Sequence, residues 1–126
     1  MKSHIHTENA PQPIGPYSQG MAAQGTFLFL SGQIPLKADG TMVEGEIKEQ
    51  THQVIKNIQA VLASENSDLK NVVKCTVFLK DMNNFTAMNE VFSEYFGEIR
   101  PARSTVEVAR LPKDVDVEIE VIALRA

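Results

Sequence analysis

The closing quarter of the chain, Arg100 to Ala123, constrains the fold most, because it alternates. Ser104, Val106 and Val108 share one parity, and Arg103, Thr105 and Glu107 the other. Beyond Leu111-Pro112-Lys113-Asp114, the apolar residues Val115, Val117, Ile119 and Val121 alternate with Asp116, Glu118 and Glu120. A period of two on both sides of a turn-forming tetrapeptide predicts two strands. They hold a guanidinium and several carboxylates on ordered backbone, which suits a site for a small anionic molecule. Charges on the outer face of a strand are more often merely solvated, so alternation alone assigns no site.

Upstream, the patterns change in a definite order. Pro11, Pro13, Gly15 and Pro16 keep the early chain extended or turning. Ser18 to Ala23 and Phe27 to Ser31 are expected to pair as a hairpin, with Gln24-Gly25 as the turn. A loop then runs through Pro35 and Asp39-Gly40 to Gly45. Ile47, Thr51, Val54, Ile55, Ile58, Val61 and Leu62 repeat at helical spacing, predicting a helix of about 17 residues. Val73, Cys75, Val77 and Leu79 form the apolar parity of a further strand. Phe85, Met88, Val91, Phe92, Tyr95 and Phe96 stripe a second helix, capped by Asn83 or Asn84 and ended by Gly97. Strand, strand, helix, strand, helix, strand, strand gives an α+β two-layer sandwich, a mixed sheet with both helices on one face. The uncovered face is expected to carry Phe78, Arg103, Thr105 and Glu118. That mixture invites self-association, with ligand clefts between copies.

Length and charge narrow the function classes. A chain of 126 residues forms one domain, residues 1–126, with a modest core. Its net charge of -4 and scattered lysines and arginines argue against a nucleic-acid or anionic-membrane surface. No apolar run approaches the roughly 20 residues of a membrane span, and Met1 to Gln12 is polar, unlike a signal peptide. The single cysteine, Cys75, cannot form an intramolecular disulfide, so a reducing, cytoplasmic setting is the expectation.

Familiar catalytic constellations are missing. Cys75 lies on the apolar parity of its strand and reads as a small hydrophobe rather than a nucleophile. His52 projects from the polar side of the first helix, about 160° from Val54. Glu49-x-x-His52 resembles half of a di-iron helix motif but has no second copy, so it reads as a solvated helix face. His4-x-His6 in a polar terminus reads as disordered rather than as a metal site. With no phosphate loop, HExxH or nucleophile elbow, neither a metal nor an organic cofactor is expected. Arginine, carboxylate, Tyr17 and the backbone amides near Gly32 remain.

Those residues sit in stretches that resemble a known family. Ile14-Gly-Pro-Tyr-Ser-Gln-Gly20, Leu30-Ser-Gly-Gln-Ile-Pro35, and Pro101-Ala-Arg-Ser-Thr-Val-Glu-Val-Ala-Arg-Leu-Pro112 followed by Val117-Glu-Ile-Glu120 closely resemble the RidA (YjgF) family. The resemblance implies a chorismate-mutase-like fold and a homotrimer with active sites between subunits. It implies hydrolysis of 2-imino acids such as 2-iminobutanoate and 2-iminopropanoate, released by pyridoxal-phosphate dehydratases, to 2-oxo acids and ammonia. It places substrate-carboxylate binding on Arg103, water activation on Glu118, and ligand contacts on Tyr17, Ser31, Gly32 and Thr105. Thr105 stands where many members carry cysteine, which bears on substrate preference rather than on the chemistry. The rival expectations are a metabolite-sensing regulatory module read by a partner protein and, disfavoured by the acidic balance, an endoribonuclease.

Overall fold

A computed structural model describes residues 1–126. Strands β1 (Lys2–Ile5), β2 (Gly20–Ala23) and β3 (Phe27–Phe29) precede helix α1 (Ile47–Ala63). Then come β4 (Val72–Leu79), α2 (Phe85–Phe96), β5 (Ala102–Glu107) and β6 (Val117–Leu124). The main sheet has the order β3-β6-β4-β5, and β1 and β2 form a separate antiparallel pair. Only β4 and β5 run parallel, as their connection through α2 requires. The result is the expected α+β sandwich, with both helices on one face of a mixed sheet.

Burial explains the arrangement. Val54, Ile55, Ile58 and Leu62 of α1 and Met88, Val91, Phe92 and Phe96 of α2 are buried. They pack on Cys75, Val77 and Leu79 of β4 and on Val117, Ile119 and Val121 of β6 in one core. The Phe92 and Phe96 rings stack with centroids 4.4 Å apart. Gln50 ties the start of α1 to β6: its Nε2 donates to Asp116 Oδ2 at 2.7 Å, and its Oε1 accepts from the Asp116 backbone N–H at 3.0 Å.

Several expectations about neighbours are corrected. The β2–β3 hairpin does not form. β2 pairs with β1 (Lys2↔Ala23 to Ile5↔Gly20), whereas β3 pairs with β6. Gln24 to Thr26 therefore carries the chain from one sheet to the other. The polar N-terminus is ordered, and His4 Nε2 donates to the Ile99 carbonyl at 2.9 Å. The two closing strands, β5 and β6, flank β4 rather than pairing with each other across the Leu111–Asp114 turn. Asp81, not Asn83 or Asn84, supplies the side-chain cap ahead of α2, accepting from the Asn83 N–H. Gly97 holds the C-cap position with φ −58°, so the left-handed turn falls on Arg100 at φ 48°. His52 is half-buried rather than solvated, its Nδ1 2.8 Å from the Tyr95 hydroxyl.

The largest correction concerns faces. Residues in register across a sheet point to the same side. Arg103 opposes Cys75 and Thr105 opposes Val77, so both lie on the helix-covered face. Glu118 opposes Phe78 on the uncovered face. Because β5 is an edge strand, Arg103 and Thr105 occupy the margin of the core rather than its centre. The uncovered face instead carries Phe78, Ile122 and Phe29, the last 75% exposed, together with Glu118 and Glu120.

Candidate active site

The site residues fall into two groups, one at each face of the sheet. The first forms around Arg103. Ser18 N–H donates to the Pro101 carbonyl at 3.2 Å, which lays the Gly15-Pro16-Tyr17 segment beside β5. A tight turn, with Tyr17 N–H on the Gly15 carbonyl at 2.8 Å, holds the tyrosine there. Gly15 eases this approach, since a Cβ there would come within 3.2 Å of the Tyr17 ring and push it outward. The Arg103 guanidinium carbon then lies 5.0 Å from the Tyr17 ring centroid, 4.8 Å from that of Phe92 and 5.7 Å from that of Phe85. Three aromatic faces suit a cation but supply no countercharge. Burial pulls the guanidinium pKa below its ordinary value, against the opposing influence of Cys75 and Tyr17, though arginine stays a cation.

Arg103 forms no salt bridge within the chain. Its one side-chain hydrogen bond runs from Nη1 to Asn89 Oδ1 of α2 at 2.7 Å. Ile14, Tyr17, Phe85, Arg103 and Thr105 line a cleft of about 210 Å³. Ile14, 92% exposed, stands at its mouth. The Thr105 hydroxyl is buried and has no hydrogen-bond partner. Burial also raises the pKa of the fully buried Cys75 thiol, which favours the inert protonated form beneath the cleft.

The second group forms around Glu118. Leu30 N–H donates to the Val121 carbonyl, and Gln33 exchanges both backbone hydrogen bonds with Ile119. Three steps on one strand thus match two on β6, so an extra residue bulges from the ladder at Ser31-Gly32. Neither of these two amides donates to a protein acceptor. Gly32 lies directly on the Glu118 carboxylate: an added Cβ would come within 2.8 Å of its Cδ. Desolvation first, and Glu120 second, hold the Glu118 pKa above its ordinary value. A carboxylate so placed is a stronger base than one in water.

Within one copy the sheet separates these groups. Tyr17, Arg103 and Thr105 meet in the cleft, while Ser31, Gly32 and Glu118 meet at the bulge. Larger hollows lie between the β3 region and α1, about 520 Å³ beside Phe29 and Glu65 and about 290 Å³ beside Lys37 and Asn57. In these, Glu65 is bound to Arg125 and Asn57 donates to the Ile34 and Leu36 carbonyls, while Ser31 and Gly32 of the bulge stand on their rims. No three His, Cys, Asp or Glu side chains converge as metal ligands. No helix is long and apolar enough to cross a membrane. Sequence reading missed Asn89 and Phe85 beside Arg103. A polar residue one turn after Phe85 and three before Phe92, on the flank of an apolar stripe, was the available signal.

Fold and site together define a small α+β protein with a desolvated arginine cleft on one sheet face and a glycine-backed glutamate on the other. Residues 7–125 match the family described as Endoribonuclease L-PSP, and the chain belongs to this family, the YjgF/RutC/Rid family. A RutC family protein of Pyrococcus horikoshii is 59% identical over 126 residues, covering 99% of each chain. The E. coli YjgF gene product has a TM-score of 0.75 at 43% identity, covering 98% of this chain and 99% of that one. E. coli TdcF, solved with bound serine, has a TM-score of 0.74 at 40% identity with the same coverage.

Proposed function

We propose that the protein hydrolyses 2-imino acids to 2-oxo acids and ammonia, at clefts completed between copies of a homotrimer. One observation carries the reading: the half-buried Arg103 guanidinium lies among aromatic rings with no carboxylate of its own. A substrate carboxylate supplies the missing countercharge through paired hydrogen bonds. The serine bound by TdcF carries such a carboxylate, which supports an amino-acid-like ligand here.

The chemistry then needs a water and a base. A protonated imine carbon is already electrophilic, so a carboxylate that deprotonates the attacking water can supply about 10²- to 10⁴-fold. Glu118 of a neighbouring copy fits this role, with the Ser31 and Gly32 amides beside it to fix the ligand. Water adds to the imine carbon, giving a carbinolamine. Glu118, now protonated, returns the proton to the nitrogen and then takes the hydroxyl proton as the C–N bond breaks, so that the 2-oxo acid and ammonia leave and the last proton departs with ammonia as ammonium. The family description also names an endoribonuclease, but the net charge of -4 offers little to a phosphate backbone.

The test generates 2-iminobutanoate in situ and follows its loss with wild type, Arg103→Ala and Glu118→Gln. Acceleration by wild type alone is expected. No acceleration, or an unimpaired Arg103→Ala, refutes the deaminase. A Glu118→Gln variant that turns over at the wild-type rate refutes the base assignment, and a wild type that binds 2-oxobutanoate without hydrolysing the imine is a ligand-binding module instead.

A further inference from the structure

We propose that Asn89 is the positioning residue of the carboxylate site, holding the Arg103 fork in its binding orientation without neutralising it. This rests on the reading of Arg103 as the carboxylate anchor. A guanidinium has only donors, so the amide must present its oxygen, as it does at 2.7 Å from Nη1. One of five N–H donors is thereby used, and enough remain for a two-pronged grip on a ligand carboxylate.

The rings around Arg103 attract the cation but fix its in-plane rotation weakly, so a directional acceptor is required. Asn89 is placed by the helix that carries it and has close packing on its far side. Its backbone lies inside α2, and its Nδ2 faces Gly15, where an added Cβ would be 3.5 Å away. The same helix thus sets both the aromatic floor, through Phe92 and Phe85, and the angle of the guanidinium. Neutrality is the essential property. An aspartate of the same shape would satisfy the guanidinium and compete with the incoming carboxylate.

The experiment compares wild type, Asn89→Asp and Asn89→Ala as full chains. It measures imine hydrolysis, calorimetric binding of 2-oxobutanoate and thermal melting. Asn89→Asp is expected to melt like wild type, to raise KM about tenfold or more with kcat changed far less, and to weaken 2-oxobutanoate in parallel. Asn89→Ala is expected to raise KM about three- to tenfold. Wild-type KM and binding in either folded variant overturn the proposal, as does a loss confined to kcat. If wild type binds 2-oxobutanoate but hydrolyses no imine, the deaminase reading falls, and weakened binding by Asn89→Asp still upholds the positioning role. A wild type that neither hydrolyses nor binds overturns both.

Discussion

Thr105→Val should make the protein more stable and less active at once. The Thr105 hydroxyl exposes less than 1 Å² and has no hydrogen-bond partner. An unsatisfied buried hydroxyl costs about 1–3 kcal/mol, and valine replaces it with a methyl group of similar size. Allowing for imperfect repacking, a gain of about 1–2 kcal/mol is expected. Unfolding entropy near 2.1 cal/mol/K per residue, over a chain of this length, gives about 0.26 kcal/mol/K, so Tm should rise by about 4–8 °C. Thr105 also lines the Arg103 cleft, so losing a hydroxyl that a bound ligand can engage should lower kcat/KM about three- to tenfold in the same variant. Calorimetric melting and the imine assay read the two effects, and Thr105→Ser should retain activity while melting lower. A Thr105→Val protein that melts at or below wild type refutes the reasoning, because the hydroxyl would then already have a partner.

Glu118→Gln should abolish turnover yet melt higher than wild type at pH 8. The raised pKa of Glu118 means that the fold favours its neutral form, so this group's contribution to stability is full at low pH and lost as pH rises through the folded pKa. The melting difference should therefore close below about pH 4, and wild-type kcat/KM should fall with pH through the same raised pKa. Gly32→Ala, whose Cβ would strike the Glu118 carboxylate, should fold and lose about 10²-fold in kcat/KM, measured alongside circular dichroism. Arg103→Ala and Glu118→Gln subunits, inactive alone, should recover about a quarter of wild-type activity when refolded together in equal amounts, since each cleft then draws its two halves at random from different copies. No recovery in mixed trimers places both groups in one copy's site.

What the sequence made legible follows from what periodicity can carry. Ile47 to Ala63 and Phe85 to Phe96 form helices where their apolar residues recur at helical spacing, and Val117 to Val121 buries the parity that alternation picked out. Pairing was not legible, because it depends on which edge is free in three dimensions. Gln24-Gly25 has hairpin chemistry, yet β2 and β3 each satisfy their backbone on another strand. Arg103 and Thr105 share a parity that looks solvent-facing beside Val106 and Val108. The parallel register with β4 turns it inward, where α2 supplies Phe92 and Asn89. Motif resemblance singles out Arg103, Thr105 and Glu118, whereas periodicity marks Asn89 only as the polar flank of the α2 stripe and leaves open which edge strand it faces.

The division of the site between two faces has an electrostatic logic. Arg103 has a lowered pKa and Glu118 a raised one, and burial is the leading cause of both. Each shift is the reverse of what a salt bridge between them would produce. A direct pair would leave the guanidinium satisfied and the carboxylate a poor base, removing the two properties that an imine-hydrolysing cleft needs. Placing them on opposite faces of one sheet keeps each unquenched while the chain folds. A site assembled from two copies can then hold them apart by the length of a substrate, with the carboxylate at Arg103 and the imine carbon towards Glu118. On the proposed reading, self-association is the step that would convert two separately costly charges into one catalytic site.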